Sequence, residues 1–311
     1  MVTTFCGRSG LRVSSIGLGT LTWGRDTDAA EACEMLARFV DAGGNLVECS
    51  PMHGEGRATD VLAEAVAAVG RHRVVLAWRG ASRPDADSWR PAGGRGDMLR
   101  SLDDALQRLG SDFVDVWLVS PEAGVPLEET LSAAEHAHRT GRARYIGMAS
   151  SRTWDIAEAV TRGAMPGGAP ITAVEAPLSL VDTRLAGLVA ELEDRGIGFF
   201  AASPLAGGAL TGKYRHSTPP DSRAASPHLR HLVEPHFTAA ARGVIEAAVR
   251  AAEGLDRTAA DVACAWASGY PGVSSAIIGP RTTRQLDAVL EREAPLPVPI
   301  RQVLNEVAGL P

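Results

Sequence analysis

The sequence predicts a single (β/α)8 barrel, a TIM barrel, that spans residues 1–311 as one domain. Short apolar runs alternate with amphipathic helical stretches along the chain, a pattern typical of a parallel sheet covered by helices. There are eight such runs, and eight parallel strands close into a barrel. Glycines stand where helices pass to strands, as at Gly110, Gly141 and Gly196, and glycine readily takes the left-handed conformation that ends a helix.

The elements follow in order. The eight predicted strands are Ile16–Thr20, Asn45–Glu48, Val74–Arg79, Val114–Val119, Arg144–Met148, Ile171–Glu175, Gly198–Ala201 and Ser275–Ile278. The predicted helices are Asp28–Asp41, Ala58–Val69, Gly96–Leu109, Leu127–Thr140, Thr153–Arg162, Arg184–Arg195, Thr238–Glu253, Thr258–Ser268 and Thr283–Glu291. Before them, Thr3–Phe5 and Arg12–Ser14 predict a β-hairpin that closes the bottom of the barrel.

Two long segments interrupt the repeat, Ala81–Arg95 and Leu205–Pro235, and both are rich in residues that favour loops. Loops of this length are uncommon unless they have a function. Because both follow strands, we expect them to lie over the C-terminal face of the barrel as lids or binding loops. Trp89, in the first of them, is a candidate to cover a flat substrate.

Composition excludes several classes of function. The net charge is −6 and no basic cluster is present, which argues against nucleic acid or an anionic membrane as the main partner. The four cysteines form no metal-binding spacing, so we expect reduced thiols and no metal site. The sequence has neither a signal-peptide layout nor an apolar run long enough to span a bilayer. These features predict a cytoplasmic protein that acts on a small molecule.

Polar residues at the ends of the predicted strands are the candidates for chemistry, because barrel enzymes build their sites there. Glu48 ends the second strand, His53 follows it, Arg79 ends the third strand and Ser120 follows the fourth. His53 would be the natural proton shuttle, Glu48 would orient it, and Arg79 would hold an anionic oxygen. The alternative is a structural Glu48–Arg79 salt bridge beneath an exposed His53.

Ordered motifs along nearly the whole chain resemble those of the aldo-keto reductases. They include Gly17-Leu18-Gly19-Thr20 and the stretches NLVECSPMHGEG, SLDDALQRLGSDFVDVW, GRARYIGMASS, ASPLAGGALTGKY and AIIGPRTTRQL. The resemblance implies a barrel that reduces carbonyls with NADPH through an Asp, Tyr, Lys and His tetrad. At those positions this sequence carries Glu48, His53, Arg79 and Ser120, so all four residues differ. The resemblance also places Trp23 in the substrate cavity, where we expect Met52 and Trp89 as well.

The resemblance further implies an NADP site of two unequal halves. The nicotinamide amide would meet Ser150 and Glu175. The family has Ser-Asn where this sequence has Ala149-Ser150 and Gln where it has Glu175, and Ala202 replaces the usual stacking ring. The phosphate half is better kept, with Ser203, Leu205, Gly207 and Lys213 around the pyrophosphate and Gly279, Arg281, Thr283 and Gln285 around the adenosine phosphate.

Three hypotheses about function follow. The substitutions are concentrated around the nicotinamide and the carbonyl, which favours an enzyme that performs acid–base chemistry without net redox, such as cyclisation, dehydration or isomerisation. The second hypothesis is a divergent NADPH-dependent reductase with His53 as the proton donor. The third is a non-catalytic binding or regulatory relative.

Overall fold

A computed structural model of the chain describes residues 1–85, 88–290 and 294–310, without the side chains of 83–85 and 88. Eight parallel strands form a closed barrel in chain order, as predicted. They are β3 (Ile16–Gly19), β4 (Leu46–Cys49), β5 (Val75–Arg79), β8 (Val114–Val119), β9 (Ala143–Ala149), β10 (Ile171–Pro177), β11 (Gly198–Ala202) and β12 (Val273–Ile278). The remaining strands form two antiparallel pairs, β1 (Thr3–Phe5) with β2 (Arg12–Ser14) and β6 (Ser82–Asp85) with β7 (Ser88–Pro91).

Helices surround the barrel. The helices are α1 (Ala29–Asp41), α2 (Ala58–Val69), α3 (Arg95–Leu109), α4 (Leu127–Arg139), α5 (Thr153–Gly163), α6 (Ala186–Asp194), α7 (Ala239–Gly254), α8 (Ala259–Ser268), α9 (Thr283–Leu290) and α10 (Val298–Val307). Their starts follow local chemistry, since the side chains of Asp28, Thr238 and Thr258 accept hydrogen bonds from the first turns of α1, α7 and α8. Among the described residues, no helix is both long and apolar enough to cross a membrane.

The two faces of each barrel strand have different neighbours, and this alternation positions the site. Leu46, Ala77, Val116 and Ala173 belong to the apolar cluster inside the barrel. Their neighbours along the strands, such as Trp78, pack in the cluster between strands and helices. Side chains alternate between the faces of a strand, so the residues two positions beyond Leu46, Ala77 and Ala173 also point inward.

The hairpin formed by β1 and β2 closes the bottom of the barrel, as predicted. Cys6, Leu11 and Val13 join the interior cluster from this side. The backbone N–H of Arg8 donates to the carbonyl of Gly196, two residues before the start of β11. The opposite end, where the strands terminate, is therefore the open one, and we call it the mouth.

Two features differ from the sequence prediction. The segment predicted as an irregular loop after β5 contains the hairpin of β6 and β7. Helix α10 was not predicted either, because prolines surround its start. Pro299 lies in the first turn of this helix, where the missing backbone N–H costs nothing. The predicted end of α9 at Glu291 lies outside the described residues.

The second long segment does lie over the mouth. It is built from short 3-10 turns between Ala206 and His236. Arg223 donates to the carbonyl of Gly279 at 2.6 Å, and Arg281 donates to the carbonyl of Asp221 at 2.6 Å. These two reciprocal contacts tie the segment to the turn that follows β12.

Candidate active site

Three ionisable side chains point into the barrel at the mouth. Glu48, Arg79 and Glu175 each stand two residues beyond an interior apolar residue of the same strand. Glu48 and Glu175 are buried, whereas the side chain of Arg79 remains 45% exposed. We call these three residues, together with His53, the strand-end cluster.

Arg79 pairs with Glu175. Its Nε atom lies 3.2 Å from Glu175 Oε1. No hydrogen bond joins the terminal nitrogens of Arg79 to any residue that the structure describes, so they are available at the mouth. Sequence reasoning placed Glu175 in the cofactor site, but here its carboxylate is a member of the charged cluster. The alternative of a structural Glu48–Arg79 salt bridge is therefore wrong, because Arg79 pairs with Glu175 instead.

His53 stands next to Glu48. Its Nε2 atom lies 3.8 Å from Glu48 Oε1, and its Nδ1 atom lies 3.1 Å from the hydroxyl of Thr20. The imidazole is buried, contrary to the alternative in which it is exposed to solvent. The turn that carries it is held by Gly54, whose φ is +57° and where a Cβ atom would meet the carbonyl oxygen of Trp23. Sequence reasoning missed Thr20, although it is a polar residue directly after a strand.

Burial and neighbouring charges shift the protonation of the cluster. Burial, with a further contribution from Glu175, raises the pKa of Glu48 to about 8 although Arg79 opposes it. Burial also raises the pKa of Glu175, against the influence of Arg79. Burial and the charge of Arg79 lower the pKa of His53 to about 3. At neutral pH, Glu48 therefore keeps its proton and His53 is a neutral imidazole.

The fourth predicted catalytic residue, Ser120, lies at the edge of the cluster. It is half-buried beyond the end of β8, and its hydroxyl packs against Gly80, which follows Arg79. Its side chain has no hydrogen-bond partner among the described residues. Ser120 is thus adjacent to Arg79 along the mouth and not part of the Glu48–His53 contact.

The three residues predicted to line the substrate pocket have different surroundings. Met52 is 42% exposed. Trp23 is fully buried in the core cluster, so it presents no surface to a substrate in this structure. Trp89 packs against Gly56 and lines a cleft of about 240 Å³ with Trp78 and Thr59, beside the mouth.

A larger cleft, of about 420 Å³, lies between the start of α7 and the end of α10. It shares no residue with the strand-end cluster and holds no group of charges comparable to it. We therefore assign chemistry to the mouth on the basis of its ionisable groups rather than of cavity size.

The loop after β11 has an unusual backbone. Ser203, Ala206, Gly207 and Gly208 all have positive φ angles, and the N–H groups of Ala206 and Gly208 donate to the carbonyls of Ser203 and Leu205. A Cβ atom on Gly208 would lie 3.1 Å from Nζ of Lys213, so the ammonium is next to this turn. Leu205 is half-buried within the same loop. These residues fit the diphosphate that the resemblance places here.

The turn after β12 is partly engaged by the protein itself. The carboxylate of Glu31 accepts a short hydrogen bond from the backbone N–H of Thr283, at the start of α9. The side chain of Gln285 accepts from the backbone N–H of Arg281 at 2.9 Å. A phosphate at this helix start would have to displace Glu31, a residue that sequence reasoning missed because it lies far away in the chain, on α1.

The residues at the nicotinamide position do not fit that group as the family resemblance implies. Glu175 is engaged by Arg79, and the hydroxyl of Ser150 accepts from the backbone N–H of Arg152 at 3.1 Å. Ala202 offers no ring for stacking. The position that the resemblance assigns to the nicotinamide thus holds an ion pair between Arg79 and Glu175.

The fold and the polar mouth define a (β/α)8 barrel protein with its candidate site at the strand ends. The model of the aldo/keto reductase family matches residues 15–302, and the chain belongs to this family. It is 29% identical to an uncharacterized oxidoreductase, YrpG, of Bacillus subtilis, over 99% of this chain and 96% of that protein.

The chain is also 30% identical to a probable voltage-gated potassium channel subunit beta of rice, over 98% of this chain and 94% of that protein. Among solved structures, the holo form of aldo-keto reductase AKR11C1 from Bacillus halodurans superimposes with a TM-score of 0.82. That match covers 99% of this chain and 96% of the other at 20% identity, so it supports the fold alone.

Proposed function

We propose that this protein is an enzyme that performs acid–base chemistry without net redox on a small carbonyl compound, as in isomerisation, dehydration or cyclisation. The observation that carries the proposal is the ion pair between Arg79 and Glu175 beside the buried carboxyl group of Glu48, whose pKa is raised by burial. It puts a general acid–base group and an oxygen-binding cation together where the family resemblance places the nicotinamide and the reacting carbonyl.

Glu48 is the proton carrier in this proposal. A pKa of about 8 is close to the working pH of most enzymes, where both protonation states are accessible. In its ionised form, Glu48 is a stronger base than an ordinary carboxylate and takes a proton from the carbon next to the carbonyl. As the acid, it returns that proton to the former carbonyl carbon in the isomerisation of a hydroxyketone, while the proton of the substrate hydroxyl passes to the former carbonyl oxygen. In a dehydration it gives the proton to the departing hydroxyl, which leaves as water.

Arg79 stabilises the oxygen on which negative charge develops. Its side chain is 45% exposed at the mouth, and its terminal N–H groups would donate to the carbonyl oxygen, which becomes an enolate oxygen when the proton leaves. The neutral imidazole of His53 lies beside Glu48 and acts as a hydrogen-bond donor rather than as the proton shuttle expected from the sequence, because its pKa is far below neutrality. The electrons stay within the substrate throughout.

The test uses hydroxyketones and other small carbonyl compounds in deuterated water without added cofactor, followed by proton NMR. We expect deuterium incorporation next to the carbonyl or release of water, lost at least about a hundredfold in Glu48→Gln and in Arg79→Met. The variant Glu55→Gln, on the same turn as His53 but outside the cluster, should retain activity. Turnover only with NADPH oxidation, and none without it, would contradict the proposal.

The second candidate is an NADPH-dependent carbonyl reductase. The positive-φ loop after β11 and the neighbouring Lys213 favour it, because they fit a dinucleotide diphosphate. In that case His53 or Glu48 would give the proton to the carbonyl oxygen. Oxidation of NADPH with the same panel, followed by absorbance, identifies this activity.

A non-catalytic role is the third candidate, and the names of the rice and Arabidopsis relatives, channel subunits, are what favours it. Absence of both turnover and NADPH oxidation across the panel would support it. In that outcome, the strand-end cluster would serve only to bind.

A further inference from the structure

Thr20 holds a fixed position next to the strand-end cluster. It is fully buried directly after β3. Its backbone N–H donates to the carbonyl of Glu48 at 3.1 Å, and its own carbonyl accepts from the N–H of Trp23 at 3.0 Å. Because threonine is β-branched, its side chain has few rotamers, so a fixed backbone also fixes the hydroxyl.

The imidazole of His53 lies between the Thr20 hydroxyl and the Glu48 carboxyl group. One ring nitrogen, Nδ1, lies 3.1 Å from the Thr20 hydroxyl, and the other, Nε2, lies 3.8 Å from Glu48 Oε1. The backbone N–H of His53 donates to the carbonyl of Ser50, which anchors the base of the side chain. His53 is buried at the bottom of the mouth, with 3% of its surface exposed.

A neutral imidazole carries its proton on one nitrogen, and the partner of the other nitrogen decides which. Among the described residues, the Thr20 hydroxyl has no oxygen or nitrogen partner besides His53 Nδ1. If Nδ1 carried the proton, Thr20 would accept it, and the hydroxyl hydrogen would face only the weakly accepting sulfur of Cys49. If Thr20 donates to Nδ1, the Thr20 hydroxyl hydrogen and the Nδ1 lone pair are each paired, and the imidazole proton sits on Nε2.

We infer that Thr20 is a positioning residue that holds His53 in the tautomer with its proton on Nε2, so that the ring directs an N–H group toward Glu48 and the mouth. The ring then supplies a second hydrogen-bond donor for the substrate oxygen, beside the N–H groups of Arg79. This role rests on the proposed function, but the tautomer itself does not depend on any reaction.

The experiment is nitrogen NMR on protein labelled with ¹⁵N-histidine, with the His53 signals assigned by their loss in His53→Gln. We expect a protonated Nε2 and an unprotonated Nδ1 in the wild type near neutral pH. Thr20→Ser, which keeps the hydroxyl, should retain this pattern. Thr20→Val, which has nearly the same shape without the hydroxyl, should give a mixture of tautomers or the Nδ1 proton.

Thr22→Val is the matched control, because Thr22 is equally buried and its hydroxyl bonds to Thr27 at 3.1 Å rather than to the histidine. It should leave the His53 signals in place. A proton on Nδ1 in the wild type would overturn the inference, and this reading remains decisive if Thr20→Val fails to fold. An unchanged tautomer of His53 in folded Thr20→Val would overturn the inference as well.

Failure of this inference is distinguishable from failure of the proposed function. If the tautomer is as expected but Glu48→Gln keeps full turnover, the proposed chemistry is wrong and the role of Thr20 in holding the ring stands. If Glu48→Gln abolishes turnover but the wild type has its proton on Nδ1, the chemistry stands and the positioning role is wrong.

Discussion

The Nε atom of Arg79 lies 3.2 Å from Oε1 of Glu175, and this pair leaves Glu48 as a second buried carboxyl group without a cation of its own. Glu48 Oε1 and Glu175 Oε2 have no hydrogen-bond partner among the described residues. Two buried carboxylates beside a single guanidinium cannot both ionise cheaply. The mouth therefore retains a proton at neutral pH, and most of its predicted behaviour follows from that proton.

The first prediction is that Glu48 titrates near pH 8, and that Glu175→Gln lowers its pKa. The substitution removes a negative neighbour, and burial then acts alone against the attraction of Arg79. The pKa of Glu48 should fall by about one unit, a change in free energy of roughly 1.4 kcal/mol. Carbon NMR of ¹³C-labelled glutamate carboxyl groups, with Glu48→Gln for assignment, measures the shift.

Arg79→Met provides the opposite change for the same measurement. Removal of the neighbouring Arg79 cation should raise the pKa of Glu48 further. A titration of Glu48 near the ordinary value of 4.5 in the wild type would refute this account of the cluster.

The second prediction concerns stability against pH. The folded chain holds the Glu48 proton up to about pH 8, whereas the unfolded chain loses it near 4.5. Between these values the folded state binds more protons, so the free energy of unfolding falls as pH rises. His53 acts in the opposite sense, because its pKa is about 3 when folded and 6.5 when unfolded. Below 6.5 the two effects oppose each other.

Above pH 6.5 the effect of Glu48 is left without this opposition from His53. The free energy of unfolding should fall by about 1 kcal/mol per pH unit between roughly pH 6.5 and 8. Urea denaturation across this range measures it. Glu48→Gln should flatten the fall, and His53→Gln should change the curve only at lower pH. A wild-type curve that rises over this interval would count against the prediction.

The third prediction separates the two halves of the dinucleotide site. If the loop after β11 and Lys213 hold phosphate while Glu175 stands at the nicotinamide position, 2′,5′-ADP and NADPH should bind the wild type with similar affinity. Glu175→Gln should tighten NADPH about tenfold, which corresponds to roughly 1.4 kcal/mol, and leave 2′,5′-ADP unchanged. Calorimetry with both ligands tests this, with Lys213→Ala as the variant that weakens both.

Much of the fold was predictable because it depends on local periodicity and on punctuation by glycine. The eight strands, the bottom hairpin and the location of Glu48, His53 and Arg79 at the mouth follow from alternation along strands. Helix α10 was not predictable, because Pro297 and Pro299 are typical of loops. Pro299 nevertheless stands in the first turn of this helix.

The pairing within the site could not be predicted, because it depends on which strand ends face each other across the barrel. Arg79 was expected beside Glu48 and is closest to Glu175, which lies about a hundred residues further along the chain. The burial of His53 is likewise a tertiary effect, and it turns the expected proton shuttle into a neutral ring. Sequence gives the residue types at the mouth, and packing decides their protonation.

The last prediction concerns the turn that places His53. Gly54 has a φ of +57°, and a Cβ atom there would meet the Trp23 carbonyl oxygen at 1.8 Å, so Gly54→Ala must displace backbone as well as strain it. Gly124 has a φ of +87° with nothing within 4 Å, so Gly124→Ala adds only conformational strain, of about 1 kcal/mol. Urea denaturation should show a loss at least roughly 2 kcal/mol larger for Gly54→Ala. Equal losses would mean that the turn yields easily, and that His53 is not rigidly held beside Glu48.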